Sequence, residues 1–205
     1  MDKSDFIKYV QELKSIIMRD KRNFKQSIDI IITFKPSTVD GILYLPHPTK
    51  QNKLLAFVDD DFKLVNIFDL SIKKSDFDKY NKKSIKSLAK SYDILFGEST
   101  IMPNLASKFG KLLTSLGKMP SPKYGTVFTP TTNISEIASK MKVAIIINNK
   151  KNNFISVKIG KEDDSDENLA ENMFAVYSFV ASLINSTNIK RLYIKGTMTK
   201  PIKII

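Results

Sequence analysis

The chain has no cysteine, so disulfide cross-links, thiol catalysis and thiolate metal sites are all excluded. That absence fits an intracellular setting. Its single histidine, His47, sits between Pro46 and Pro48. A Ser-His-Asp triad would have to use that residue, and a proline-flanked loop is a poor place for a general base. Glycines number only seven, and none forms a phosphate loop of the Walker type. The nearest approach is Gly110 followed by Gly117-Lys118. Its spacing is too long, and Met119 stands where a magnesium-binding hydroxyl is needed. Lys108, Lys111 and Lys118 remain candidates for meeting phosphate without making a nucleotide site. No apolar run reaches the length of a membrane span. The first five residues, Met1-Asp2-Lys3-Ser4-Asp5, lack the basic start and apolar core of a signal peptide.

Basic residues are plentiful. Lysine and arginine total 33 against 21 acids, for a formal net charge of +12. Such an excess points to a polyanionic partner, nucleic acid or an anionic surface. Arginine contributes little of it. Arg19, Arg22 and Arg191 are the only three, and the rest are lysines, which act as point charges rather than planar forks. Coding bias toward Lys, Ile, Asn and Ser is an alternative source of the lysine count, but the charge stands either way. With 205 residues, 42% of them hydrophobic, the chain can bury a core as one or two domains.

The apolar pattern predicts the elements. Phe6, Val10, Leu13 and Ile17 repeat at helical spacing, with Ser4 as a candidate N-cap. In Ser27–Phe34, Ile28, Ile30, Ile32 and Phe34 share one strand face, while Ser27, Asp29, Ile31 and Thr33 share the other. Further strands are expected at 42–45, 54–58, 92–96, 142–147, 154–159 and 191–195. Helical stretches are expected at 76–90, 105–116 and 135–140. A long helix marked by Leu169, Met173, Val176, Tyr177, Val180 and Ile184 should follow, capped by Ser165. The acidic run Glu162, Asp163, Asp164, Asp166 and Glu167 lacks the ligand spacing and turn glycine of a calcium loop and suits a helix start.

Two proline-marked passages, Pro46-His47-Pro48 and Met119-Pro120-Ser121-Pro122, bracket a segment with its own α/β rhythm. The expected architecture is therefore α/β. Residues 1–48 and 122–205 form a discontinuous α+β domain, and 49–121 form an inserted, Rossmann-like α/β domain. Pro46, Pro48, Pro120 and Pro122 would act as hinges. Two basic segments suit nucleic acid. Arg19–Lys25 carries Phe24 among four basic residues. Lys190–Ile205 carries Lys190, Arg191, Lys195, Lys200 and Lys203 with no acid. An ordinary solvated surface remains the alternative on charge alone.

Four strings in order resemble one family. Arg22-Asn23-Phe24-Lys25-Gln26-Ser27-Ile28-Asp29 resembles the N-terminal signature of the ribosomal protein L-one family: an aromatic, a short polar stretch, Ser or Thr, an aliphatic and an acid. Tyr193 to Pro201 resembles its C-terminal signature, which runs through Thr-Met-Gly. Leu88-Ala89-Lys90-Ser91-Tyr92-Asp93 and Leu116-Gly117-Lys118-Met119-Pro120-Ser121 resemble strings of its inserted domain. The similarity covers nearly the whole chain and is nearest the eukaryotic and archaeal branch.

That resemblance implies a structural, non-enzymatic protein of the large ribosomal subunit in the cytoplasm. It would bind rRNA, form the mobile stalk by the tRNA exit site and assist release of deacylated tRNA. Expected partners are large-subunit rRNA, exit-site tRNA and, as in some relatives that act as repressors, messenger RNA. No membrane, small-molecule substrate, cofactor or metal is expected. A doubly wound metabolic enzyme is the rival class, opposed by the missing phosphate loop and by His47. Matched to the signatures, the RNA-facing residues are Arg22, Phe24, Lys25, Ser27, Asp29, Lys195, Thr197, Met198, Thr199 and Lys200. A carboxylate facing RNA should persist only where it accepts specific hydrogen bonds, which makes Asp29 notable. Thr199 stands where the family usually has glycine, and Gly196 stands where it more often has a hydroxyl residue. The stretch between Val58 and Asp76 is short for the family, which implies a trimmed first crossover in the inserted domain.

Overall fold

A computed structural model describes residues 3–20, 22–62, 67–130, 133–149 and 152–205. Along the chain come helix α1 (Lys3–Arg19), strands β1 (Ser27–Phe34) and β2 (Asp40–Tyr44), then β3 (Leu54–Val58) and β4 (Leu70–Lys73). Helix α2 (Lys82–Ser91), β5 (Ile94–Glu98), helices α3 (Met102–Leu105) and α4 (Lys111–Leu116), β6 (Val127–Phe128) and α5 (Ile134–Met141) follow. The chain finishes with β7 (Ala144–Asn148), β8 (Phe154–Lys161), α6 (Asp166–Ile184), β9 (Ile189–Gly196) and β10 (Ile202–Lys203).

The chain forms two compact units: residues 1–50 with 145–205, and residues 51–144. In the first unit an antiparallel sheet runs β10-β9-β1-β8, and β2 pairs with β7. Strand β1 alternates strictly. Ile28, Ile30, Ile32 and Phe34 are buried, and the intervening residues are half-exposed. The buried face receives Phe6, Val10, Leu13 and Ile17 of α1 and Leu169, Met173, Val176 and Val180 of α6. These helical spacings place one apolar stripe of each helix on the sheet, where most of the unit's hydrophobic stabilisation resides. Helix α1 begins at Lys3, so Ser4 lies inside its first turn rather than capping it. Ser165 does cap α6, its side chain accepting a bond from the Asn168 amide at 3.2 Å.

The passage around His47 is pinned to α6. Asn172, 2% exposed, accepts from the His47 amide at 2.9 Å and donates to the carbonyls of His47 and Ile159 at 2.7 and 2.8 Å. The His47 ring meets Glu171 at 2.9 Å.

The second unit holds a wholly parallel sheet, ordered β4-β3-β5-β6. Every residue of β3 and β5 is buried, as expected of parallel strands covered on both faces. Leu55, Phe57 and Leu95 meet Ile85, Leu105, Phe109 and Leu113 from the helices. Phe96 and Phe128 pack instead against Phe62 and Phe68, the Phe68 and Phe128 rings stacked. The strand order, 2-1-3-4 in chain order, is that of a doubly wound sheet whose direction reverses between β3 and β5. Residues 63–66 of the first crossover, expected to be trimmed, lie outside the described residues. A π-helical turn, Ala106–Gly110, joins α3 to α4. Ile101, Leu105, Phe109 and Leu113 are buried at successive steps of four. In a regular α-helix three such steps drift by about 120° around the axis, and the wider π turn absorbs that drift.

The second domain boundary differs from the sequence expectation. Residues 122–144 belong to the second unit because β6 completes its parallel sheet beside β5. Asn52 then closes the unit. Its amide donates to the Lys142 carbonyl at 2.7 Å, and its side chain donates to the carbonyls of Met141 and Ala144 at 3.0 and 2.6 Å. Pro120 and Pro122 therefore lie inside this unit and not at its edge. Pro120 is buried beside Gly97, and Pro122 opens a 3-10 turn capped by Ser121. Pro46 and Pro48 are exposed and lie in the first unit, shortly before the crossing at Lys50–Gln51.

Candidate nucleic-acid interface

The two sequence signatures meet at one end of the first unit's sheet. Ile28 of β1 is in register with Gly196 of β9. Beyond that pair the Thr197 amide donates to the Ser27 carbonyl at 3.1 Å, and the Ser27 amide donates to the Thr197 hydroxyl oxygen at 3.1 Å. That hydroxyl also lies 3.3 Å from the Ser27 carbonyl oxygen. Segments 170 residues apart are thus zipped by backbone and hydroxyl bonds. The Thr197 hydroxyl keeps part of its capacity for a ligand, since the residue is exposed.

Gln26, 1% exposed, underpins the same end. Its side-chain oxygen accepts from the Met198 amide at 2.9 Å, and its carbonyl accepts from the Glu162 amide at 3.1 Å. Sequence reasoning singled out its neighbours and missed it. The signal was present: the even positions of this segment, 28 through 34, are the buried ones, and Gln26 continues that parity. Phe24 and Met198 flank the zip with their side chains outward, 49% and 58% exposed. An aromatic ring held exposed at a structured turn can stack on unpaired bases, and the methionine beside it can add apolar contact.

Thr199 departs from expectation. The signature match places it with the RNA-facing residues, yet it is buried, and its hydroxyl oxygen accepts from the Gly196 amide at 2.8 Å. Its backbone is not left-handed, so the position makes no torsional demand for the glycine usual in the family.

Charged groups surround this end unevenly. Lys25 is exposed and paired with Asp163, and that hydrogen bond, followed by the charge of Asp163, raises its pKa. Arg22 is exposed beside Asp163 and Glu162, in a shallow cavity also lined by Lys14, Ile17 and Met18. Lys14 pairs with Asp166 at 2.6 Å. The acidic run therefore serves as helix start and lysine partner, and no cluster of three metal-ligating side chains occurs among the described residues. Lys200 is exposed at the turn.

Asp29 lies on the sheet face away from the helices. It is in register with Lys158 on one side and Lys195 on the other. A register shift between Ile28 and Asp29 marks a bulge there, a device that re-aims side chains. Partial burial raises the Asp29 pKa, opposed by Lys158 and then Lys195. Neither lysine comes within ion-pair distance among the described residues. The carboxylate is thus partly desolvated and still free to accept bonds. The next rows of this open face carry Tyr193, Ile31 and Ser156, then Arg191, Thr33 and Phe154. Such a mixture of lysines, one carboxylate, hydroxyls and exposed aromatic rings can hold phosphates, accept 2′-hydroxyls and stack bases.

Comparison with known proteins agrees with this chemistry. Residues 13–200 match the model of the Ribosomal protein L1p/L10e family. The chain is 30% identical to the large ribosomal subunit protein uL1 of Thermofilum pendens over 198 residues, covering 90% of this chain and 86% of that one. It is 28% identical to the uL1 of Pyrobaculum aerophilum over 202 residues, covering 89% and 86% respectively. With the uL1 of Nanoarchaeum equitans the identity is 29% over 210 residues, covering 96% and 99%. These relatives are archaeal, on the side of the family toward which the signatures pointed.

Proposed function

The chain belongs to the Ribosomal protein L1p/L10e family, and on that premise we propose that the zipped sheet end of its first unit is the docking site for large-subunit rRNA. The protein is a structural component of the large ribosomal subunit and not an enzyme. One observation carries the assignment of the site. The two signatures meet at Ser27 and Thr197, with Phe24 and Met198 exposed beside them.

In this reading each group has a physical task. Phe24 and Met198 cover unstacked bases or ribose faces, and the Thr197 hydroxyl offers a polar contact between them. Asp29 accepts 2′-hydroxyl or base amino protons, while Lys158 and Lys195 hold the neighbouring phosphates and offset its repulsion. Arg22, Lys25 and Lys200 add phosphate contacts at the rim. Gln26 and Thr199 shape the turn from inside. Docked this way, the protein forms the stalk at the exit site and assists departure of deacylated tRNA.

The test is sedimentation and crosslinking. With a photoreactive group at position 24 or 198, the chain should sediment with the large subunit and crosslink to its rRNA. Crosslinks confined to protein would overturn the reading. For the tRNA role, subunits lacking the chain should release deacylated tRNA at an altered rate, and an unchanged rate would remove it.

A further inference from the structure

A second basic surface lies in the other unit. A groove of about 620 Å³ between α2 and the α3–α4 helix is lined by Lys82, Lys86, Ser107, Lys108, Phe109 and Lys111, among others. No acid lines it. Lys108 is paired with Asp78 at the rim, whereas Lys82, Lys86 and Lys111 have no ion-pair partner among the described residues. The sequence explains the imbalance. No Asp or Glu occurs between Asp78 and Asp93, nor between Glu98 and Glu136.

Helix α2 maintains this charge against its own interest. Lys82, Lys86 and Lys90 follow one another at i, i+4, a spacing at which like charges destabilise a helix. No acid on α2 relieves them. A bound polyanion would. The π turn adds to the arrangement, because Ser107 and Lys108 project from the stretch where the helix is widest.

We propose that this groove holds the phosphate backbone of double-stranded RNA without reading its sequence. Lysines supply point charges suited to phosphates, and arginine, which would fork onto bases, is absent from the whole unit. A membrane surface fits less well. The exposed large hydrophobics, Met18, Phe24, Tyr44, Phe154, Leu183, Met198 and Ile205, all belong to the first unit, so the second has no apolar wedge to insert among its described residues. The proposal does not depend on the rRNA site of the first unit.

The experiment measures binding of the full chain to a fluorescent RNA duplex of about two helical turns, unrelated in sequence to rRNA, across a salt series. K82A/K86A/K111A should bind at least tenfold more weakly, with a salt slope shallower by roughly 2 to 3. The charge-preserving K82R/K86R/K111R should bind like the parent, which separates lost charge from lost folding. A Phe24→Ala, Met198→Ala chain should keep its duplex binding, so failure of the rRNA reading leaves this result untouched. Unchanged duplex affinity in the alanine variant overturns the proposal. So does loss of binding to vesicles rich in phosphatidylserine with duplex binding intact, which would assign the groove to a membrane.

Discussion

The Thr199 hydroxyl accepts a hydrogen bond from the Gly196 amide at 2.8 Å, and a Cβ built on Gly196 would stand 3.1 Å from that same oxygen. The two residues fit one another: the threonine fills the space that the glycine leaves open. Gln26 completes the enclosure, its side-chain oxygen 3.2 Å from the same Cβ position.

The pair should therefore be coupled. Thr199→Gly removes a buried hydrogen bond and should cost about 1 kcal/mol or somewhat more. Gly196→Ala should destabilise the parent chain, and destabilise it less when Thr199 is already glycine. Urea denaturation of the two single variants and the double variant measures the coupling. Additive effects would show that the two residues do not share this space.

The Asp29 carboxyl pKa is raised in the folded chain, chiefly by burial. The folded state therefore holds this proton more tightly than the unfolded state does. The resulting stability is fully present below the ordinary carboxylate pKa and is lost as pH rises through the raised value. Asp29→Asn should thus melt higher than the parent at neutral pH, with the difference closing as the pH falls below the ordinary carboxylate range. If the carboxylate accepts specific bonds from RNA, the same variant should bind the rRNA fragment on the order of tenfold more weakly. Its binding to unrelated RNA should not fall. A uniform gain in affinity for every RNA would leave Asp29 only as a repulsive surface charge.

Asn172 anchors the passage around His47 with three hydrogen bonds from a buried side chain. Asn172→Ala should cost roughly 2 to 4 kcal/mol, because it leaves the His47 amide and two carbonyls without their partner. Protease cutting near Pro46 and Pro48 should rise with it. Parent-like stability would show that water replaces the asparagine.

Much of the fold could be read along the chain, where burial follows a local period. Ser27–Phe34 announces itself by alternation, and Leu169–Ile184 by its helical stripe. The strands at 70–73, 127–128 and 202–203 did not, because so few residues set no period of their own. Val127 and Phe128 become a strand only by pairing with Gly97 and Glu98. The proline passage at 119–122 looked like a linker because proline suits linkers, yet the Pro120 ring is buried beside Gly97. That single substitution of interior for exterior moved the expected boundary from 122 to 145.

The candidate site was legible through its signatures and only partly through its physics. Phe24 and Met198 are exposed, as an RNA-facing assignment requires. Thr199 was misplaced because its inward turn depends on Gly196 and Gln26, which come from two segments far apart in sequence. The partners of Lys25 and Lys14 were equally hidden, since Asp163 and Asp166 reach them only through tertiary packing.

The most direct measurement is the affinity of the full chain for a large-subunit rRNA fragment beside a scrambled RNA of equal length, at fixed salt. Phe24→Ala and Met198→Ala are compared with the parent. The parent should clearly prefer the rRNA fragment. Phe24→Ala should lose on the order of tenfold for that fragment, consistent with the roughly 1–3 kcal/mol of a base–aromatic contact; Met198→Ala should also bind it more weakly through lost apolar contact, and both should lose little for the scrambled RNA. Equal affinity for the two RNAs, or variants that bind the rRNA fragment as the parent does, would contradict rRNA docking at this site.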